Sequence, residues 1–191
     1  MIKKDKTRGN ILKAAEKIFA RDGFSTASID DIAALAGIAK GTVYYHFKSK
    51  DELFFEIVDK GIDQLAERIQ QKLKEDELLN KSPLYTLVEA QFLFFKERKD
   101  FCKVLFSELW RLKTKWRRDI YILKAKYHQI VLDIIGKSKL NSDTSPNVLA
   151  DYIFWLVSMV SLNTVLYDPG HMQQAIDHLQ AFILRSGSGN K

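Results

Sequence analysis

Between Ser28 and Leu53 the sequence SIDDIAALAGIAKGTVYYHFKSKDEL holds two helix starts and one helix stop. Ser28, with Asp31 three residues on, caps the first start. Gly37 offers the left-handed backbone that closes a helix. Ser49-Lys50-Asp51-Glu52 forms a capping box that opens the next long helix. The helices confined between these signals are short, and the chain must turn sharply at the glycine. Ala33 and Ala36 are small where two helices have to cross closely, and Ile38 can plug the angle between them. The apolar period agrees: Ile29, Ile32, Ala33 and Ala36 fall at i, i+3, i+4 and i+7, and Val43 and Phe47 point inward on a helix from about Ala39 to Phe47. These features predict a helix-turn-helix.

With Val43 and Phe47 inside, Lys40, Thr42, Tyr44, Tyr45 and His46 remain around the other faces of the short helix. Lys40 can bind a guanine edge or a phosphate, and Thr42 can hydrogen-bond either or touch a thymine methyl. A tyrosine hydroxyl reaches phosphate while its ring packs on sugar or methyl. Gly41 lets the backbone approach a duplex closely. Lys50 lies in the first turn of the following helix, where free backbone N–H groups already favour a phosphate. Any one aromatic alone reads as an ordinary surface or core residue. The whole array of cap, glycine turn, basic-aromatic helix and capped lysine has the design of a major-groove reader.

Helical periodicity continues through most of the chain. A first helix carries Ile11, Ala15, Ile18 and Phe19 and ends at Gly23. The fourth runs from the capping box through Leu53, Ile57, Leu65, Ile69 and Leu73, with a break expected over Lys74–Lys81. Ser82-Pro83 and Ser145-Pro146 open the fifth and eighth helices, with proline at the tolerated first position. The sixth is expected from about Asp100 to Leu112, the seventh from Lys115 to Gly136, and the ninth from Met172 to Leu184 after an Asp168-Pro169-Gly170 turn. No strand alternation and no repeat is found. A 46% hydrophobic content over 191 residues suffices for a real core, and three prolines with nine glycines fit a helix-rich protein.

One cysteine, Cys102, excludes an internal disulfide. The basic N-terminus leads into an amphipathic pattern rather than a signal sequence. The longest uncharged run, Tyr152–Tyr167, is shorter than the roughly 20 residues of a membrane span and reads as a buried helix. A cytoplasmic chain without a membrane partner is expected. The net charge of +6 is unevenly spread: +5 over residues 1–50, −4 over 51–98, +6 over 99–126 and −1 thereafter. A charge run alone is ordinarily a solvated face, so the basic N-terminal block supports a polyanion surface only together with the motif.

On ILKAAEKIFARDGF, TASIDDIAALAGIAKGTVYYHF and KSKDEL, the first quarter of the chain resembles the DNA-binding domain of the TetR family of bacterial transcriptional regulators. The resemblance implies an all-α protein of about nine helices. A three-helix domain over residues 1–48 would join, through the long fourth helix, a larger effector-binding and dimerisation domain over 49–191. It implies a homodimer on a palindromic double-stranded DNA operator, a small-molecule effector that releases the DNA, and repression as the default sign. Carried over by position, Ala39, Lys40, Thr42 and Tyr45 become base-side candidates. Gly41 permits close approach, and Ser28, Tyr44, His46 and Lys50 become phosphate candidates.

The C-terminal half is rich in large apolar side chains, which by themselves fill a core. The resemblance adds a cavity, for which Phe92, Phe95, Leu105, Leu109, Tyr121, Trp155 and Met159 are candidate lining residues. Glu108, His128 and Asn163 are lone polar residues on apolar stretches, able to orient an apolar or amphiphilic ligand or to satisfy one another. The basic stretch from Arg111 to Lys126 can serve as a cationic mouth for an acid such as a fatty acid or acyl-CoA, with Arg117 and Arg118 at its centre. Tyr152, Leu156 and Val160 are expected in a dimer interface built by the eighth and ninth helices.

An enzyme is disfavoured. The four histidines, His46, His128, His171 and His178, form no HExxH, and a single cysteine gives no Cys/His metal spacing. No nucleophile elbow or phosphate-binding glycine loop occurs. No metal or cofactor is therefore expected. The competing reading is an effector-independent DNA-binding or architectural protein with the same N-terminal domain and no pocket.

Overall fold

The computed structural model describes residues 2–109, 117–137 and 144–187, with side chains described for 5–106, 125–137 and 144–185. Among the described residues there are nine α-helices and no strand. In chain order they are α1 Ile2–Asp22, α2 Ile29–Ala36, α3 Lys40–His46, α4 Lys50–Glu77, α5 Pro83–Glu97, α6 Lys99–Leu109, α7 Arg117–Lys137, α8 Pro146–Tyr167 and α9 Met172–Gly187. A 3-10 turn, Pro169–His171, precedes α9.

The chain forms two compact units. The first takes residues 1–61 and 100–116, so α6 belongs with the N-terminal helices. Its core is Ile11, Ala15, Ile18 and Phe19 from α1, Ile32 from α2, Val43 from α3, Phe47 after it, and Leu53, Phe54 and Ile57 from α4, all buried. Phe24 joins them by edge-on contacts to Phe19 and Phe54, with centroids 5.3 and 5.4 Å away. α6 seats on α4 at Gly61, where a Cβ would overlap the ring of Phe101. That ring is itself completely buried, so only a glycine lets the two helices come this close.

The second unit takes residues 62–99 and 117–191. Its centre is α5, which buries Leu84, Leu87, Val88, Phe92 and Phe95 and packs against α7, α8 and α9. The core also holds polar groups that satisfy one another. Gln91 donates to Ser158 Oγ at 3.2 Å and Ser161 Oγ at 3.3 Å, and accepts from the Tyr127 hydroxyl. Burial pushes the Tyr127 phenol far above its ordinary pKa of 10.0, so it stays a donor.

One boundary differs from the sequence expectation. α4 continues through Lys74–Glu77 instead of ending near Leu73. Its polar last turns are held by a Gln71–Glu75 hydrogen bond of 2.9 Å and a Lys72–Asp76 pair. The stop comes at Asn80, whose φ of 52° is left-handed, with Leu79 and Lys81 N–H donating to the Asp76 carbonyl. α8 extends across Asp151 to 22 residues, and by length and composition it could cross a membrane. It starts at the Ser145-Pro146 signal read from sequence. One face packs inside the unit through Ala150, Ile153, Val157, Ser161 and Val165.

Gly61→Ala is expected to lower stability by about 1–3 kcal/mol through overpacking on Phe101. Gly136→Ala, in α7 with open space around it, should be neutral or stabilise by up to about 1 kcal/mol. Chemical denaturation measures both. Asp76 is buried at the α4–α5 turn and accepts from the Thr86 hydroxyl at 2.8 Å. Burial raises its carboxyl pKa, but the Thr86 bond and the Lys72 and Lys81 charges outweigh this and hold it below 3.8. A carboxylate with a depressed folded pKa stabilises fully above its unfolded value and loses that contribution as pH falls through the folded one. Asp76→Asn should therefore flatten the loss of stability below about pH 4 in an acid titration of the melting temperature.

Candidate nucleic-acid interface

The turn between α2 and α3 is built as a glycine-closed helix end. Gly37 has φ 66° and ψ 36°, and Ile38 N–H donates to the Ala33 carbonyl at 3.0 Å. Ser28 caps α2, its Oγ accepting from Asp31 N–H at 3.1 Å while its hydroxyl donates to the Asp31 carboxylate. Ser49 Oγ accepts from Glu52 N–H at 3.1 Å at the start of α4, and Glu52 in return accepts from Lys48 N–H at 2.7 Å. The reciprocal bond thus lands one residue earlier than the capping box places it.

α3 has the division of faces that its period dictates. Val43 is 0% exposed, whereas Tyr44 is 48% and Tyr45 72% exposed. Ala39, Lys40 and Gly41 are exposed as well, and Thr42 is half-buried beside them. A Cβ at Gly41 would meet nothing within 4 Å, so packing inside the chain gives no reason for glycine there.

Several cations of the N-terminal block are engaged within the fold. Lys40 Nζ lies 2.9 Å from Asp30 on α2, and this bond raises the lysine pKa. Lys50 Nζ donates to the Ser25 and Ala27 carbonyls at 3.1 and 2.9 Å and sits 4.8 Å above the Phe24 ring. It therefore pins the α1–α2 loop, with one N–H left over from these two bonds. His46 is half-buried, and its Nδ1 is enclosed without a hydrogen-bond partner.

Arg8 carries no distinguishing signal in the sequence, because it stands in a run of basic N-terminal residues that reads as a solvated face. Its guanidinium turns inward instead. It donates to Glu56 Oε1 at 2.9 Å and also to Oε2, donates to the His46 carbonyl at 2.7 Å, and lies 4.2 Å over the Phe47 ring. The bond to Glu56 raises the Arg8 pKa despite burial. Burial pushes the Glu56 carboxyl up, but the bonds from Arg8 and Lys60 prevail and hold it below its ordinary value.

The expected ligand residues are distributed over both units. Phe92 and Phe95 are buried in the second unit, and Leu105 is half-buried in the first. The side chains of Glu108, Leu109 and Tyr121, and of Arg111–Lys124 in the basic stretch, lie outside the described residues. Lys126 pairs with Asp63 at 2.7 Å. His128 does not meet Asn163: it bonds the Asn147 carbonyl at 3.1 Å and pairs with Asp151, bracing α7 to the start of α8. Trp155, Met159 and Asn163 share the less buried stripe of α8 with Tyr152, Leu156 and Val160, since i, i+4 and i+8 lie on one side of a helix.

A cleft of about 430 Å³ opens elsewhere in the second unit, among α4, α5 and α7. Leu73, Pro83, Ile130 and Ile134 form its apolar lining, with Lys74, Lys81 and Lys137 among its polar lining residues. Among the described residues, none of those expected from sequence lines it. Among the described residues no cluster of metal-ligating side chains occurs.

Gly41→Ala is expected to separate folding from binding. The melting temperature should hold or rise, because alanine is the better helix former and finds open space. Affinity for a DNA duplex should fall, as a methyl is placed on the face that would meet the groove. Equal affinity of the two proteins in fluorescence anisotropy would remove Gly41 from the interface.

A sequence profile of the bacterial regulatory proteins of the tetR family matches residues 11–57. The transcriptional activator FasR of Mycolicibacterium smegmatis is 28% identical over 134 residues, 70% of this chain and 61% of its own length. The uncharacterized regulator YvdT of Bacillus subtilis is 30% identical over 140 residues, 72% of this chain and 70% of its own. The chain spans less than two thirds of the length of several other curated relatives as well. Among solved structures, the transcriptional regulator FadR from Bacillus subtilis, in complex with stearoyl-CoA, shares the fold with a TM-score of 0.80 at 19% identity, over 93% of this chain and 97% of that one. With its helix-turn-helix in place and these relatives beside it, the chain belongs to the tetR family of bacterial regulatory proteins.

Proposed function

We propose that the chain is a ligand-responsive transcriptional repressor that binds a palindromic operator as a homodimer. Residues 1–48 read DNA, and residues 49–191 bind the effector and dimerise. The observation that carries the DNA reading is the exposed face of α3, where Lys40, Tyr44 and Tyr45 stand around a glycine that nothing inside the chain requires. Two such helices, one from each protomer, enter successive major grooves roughly 34–36 Å apart. Lys40 and Tyr45, with Thr42 and Ala39, face bases. Tyr44 and Ser28 face phosphates, and Lys50 reaches one with the N–H its loop bonds leave over.

The dimer surface is the outward stripe of α8. Tyr152 is 64% and Trp155 42% exposed there, aromatic surface that a second protomer would cover. Tyr167 and the α9 residue Phe182 add to the exposed apolar surface of these two helices.

The effector is a small amphiphilic acid, such as a fatty acid or acyl-CoA. FadR, which shares the fold, was solved with stearoyl-CoA. The α4–α5–α7 cleft adds an apolar lining with three lysines, which outnumber the Glu77 and Asp133 carboxylates beside them and can take an anionic head on a hydrocarbon tail. α4 is the transmitting element: one unbroken helix supplies Lys50 at one end and cleft-lining Leu73, Lys74 and Glu77 at the other.

The test is DNA binding with and without oleate and stearoyl-CoA, at fixed salt. Either ligand should weaken binding by about tenfold or more, within the usual range of allosteric coupling. DNA binding that ignores these and a wider panel of apolar and acidic molecules favours the effector-independent alternative.

A further inference from the structure

α3 has only seven residues, and no side chain caps its start at Ala39. A helix this short does not hold its own shape or direction in water. Its attachment to the domain therefore decides how Lys40, Thr42 and Tyr45 meet a groove. Burial of Val43 and Phe47 fixes which face is inside. It leaves open the tilt of the last turn, whose carbonyls have no partner within the helix.

One of those carbonyls, that of His46, is taken by Arg8 at 2.7 Å. The same guanidinium forks onto Glu56 of α4 through two N–H groups and covers the Phe47 ring. Glu56 is held in turn by Lys60 at 2.8 Å, one helical turn further along α4. A planar fork fixes direction as well as distance, which a lysine ammonium cannot do. The cation also lies at the C-terminal end of α3, where the helix dipole favours it. A single side chain from α1 thus ties the end of the reading helix to the helix that continues out of the unit.

We propose that Arg8 and Glu56 are positioning residues for DNA recognition: the clasp sets the angle of α3 against α4, and so governs sequence discrimination, without either residue touching DNA. The proposal rests on the DNA-binding reading above. It makes a prediction of unusual sign for Glu56. A carboxylate in a DNA-binding unit repels phosphate, so electrostatics alone says that Glu56→Gln tightens binding to every sequence. If the carboxylate serves the clasp, the same change loosens binding to the preferred sequence.

The experiment uses the full chain, a duplex enriched by the wild-type protein from a random pool, and a scrambled duplex of the same length. Wild type, Arg8→Lys and Glu56→Gln are compared across a salt series, well below their melting temperatures and with matching circular dichroism. Arg8→Lys keeps the charge and removes the fork. Both variants should lose about tenfold in affinity for the enriched duplex, the scale of one charge-assisted hydrogen bond. Binding to the scrambled duplex should be unchanged for Arg8→Lys and unchanged or tighter for Glu56→Gln. The salt slope should match wild type, because no phosphate contact is lost.

The proposal is overturned if both variants keep the wild-type ratio of enriched to scrambled binding within about twofold. It is equally overturned if Arg8→Lys weakens both duplexes alike with a shallower salt slope, which would make Arg8 a phosphate contact. A wild-type chain that enriches no sequence contradicts the DNA-binding reading itself, a separate outcome from failure of the clasp.

Discussion

A seven-residue helix is below the length at which backbone hydrogen bonds outweigh the entropy of ordering the chain. Everything that makes α3 useful is therefore supplied from outside it. Gly37 turns the chain into it with a left-handed backbone that a side chain would strain. Val43 and Phe47 anchor one face in the core shared by α1, α2 and α4. Arg8 closes its far end. With one side pinned in this way, the opposite side can carry exposed aromatics and a glycine without costing the domain its fold.

Charge looks different once partners are considered. The N-terminal block is strongly basic on paper, yet Arg8, Arg21, Lys40 and Lys50 each have a partner inside the fold. A surface pair such as Lys40–Asp30 is worth little and yields easily to a phosphate or a base. The Arg8–Glu56 fork, partly buried and bidentate, does not yield so easily. The basic block therefore contains two populations, one in pairs that a polyanion can displace and one bonded within the fold at the end of α3.

Local signals were the legible ones. Ser28, Gly37, Ser49 and the two Ser-Pro starts act within three or four residues, and the helix boundaries they set agree with the structure. The Val43/Tyr45 division follows directly from the 3.6-residue period. The stop at Asn80 is not legible locally, because the polar stretch before it reads as a break while i, i+4 pairs keep α4 intact through it. On α8 the apolar residues run all round the helix, so period alone could not separate Trp155 and Met159 from Tyr152 and Leu156. Membership of α6 in the first unit depends on Phe101 meeting Gly61, forty residues away, and no local pattern carries that. The inward turn of Arg8 is likewise a tertiary fact. The sequence put it among solvated charges, and its role emerges only with Glu56 and the His46 carbonyl beside it.

The central claim is that the exposed face of α3 reads DNA sequence, twice per dimer. Selection from a random duplex pool by the full chain, followed by sequencing of the bound fraction, tests it most directly. A two-fold symmetric site is expected, with half-sites about one helical turn apart or a multiple of it. Lys40→Ala and Tyr45→Ala should each change the preferred bases at the same position in both halves. A bound fraction with no enriched sequence, or an enriched site that both variants leave unaltered, would contradict the account.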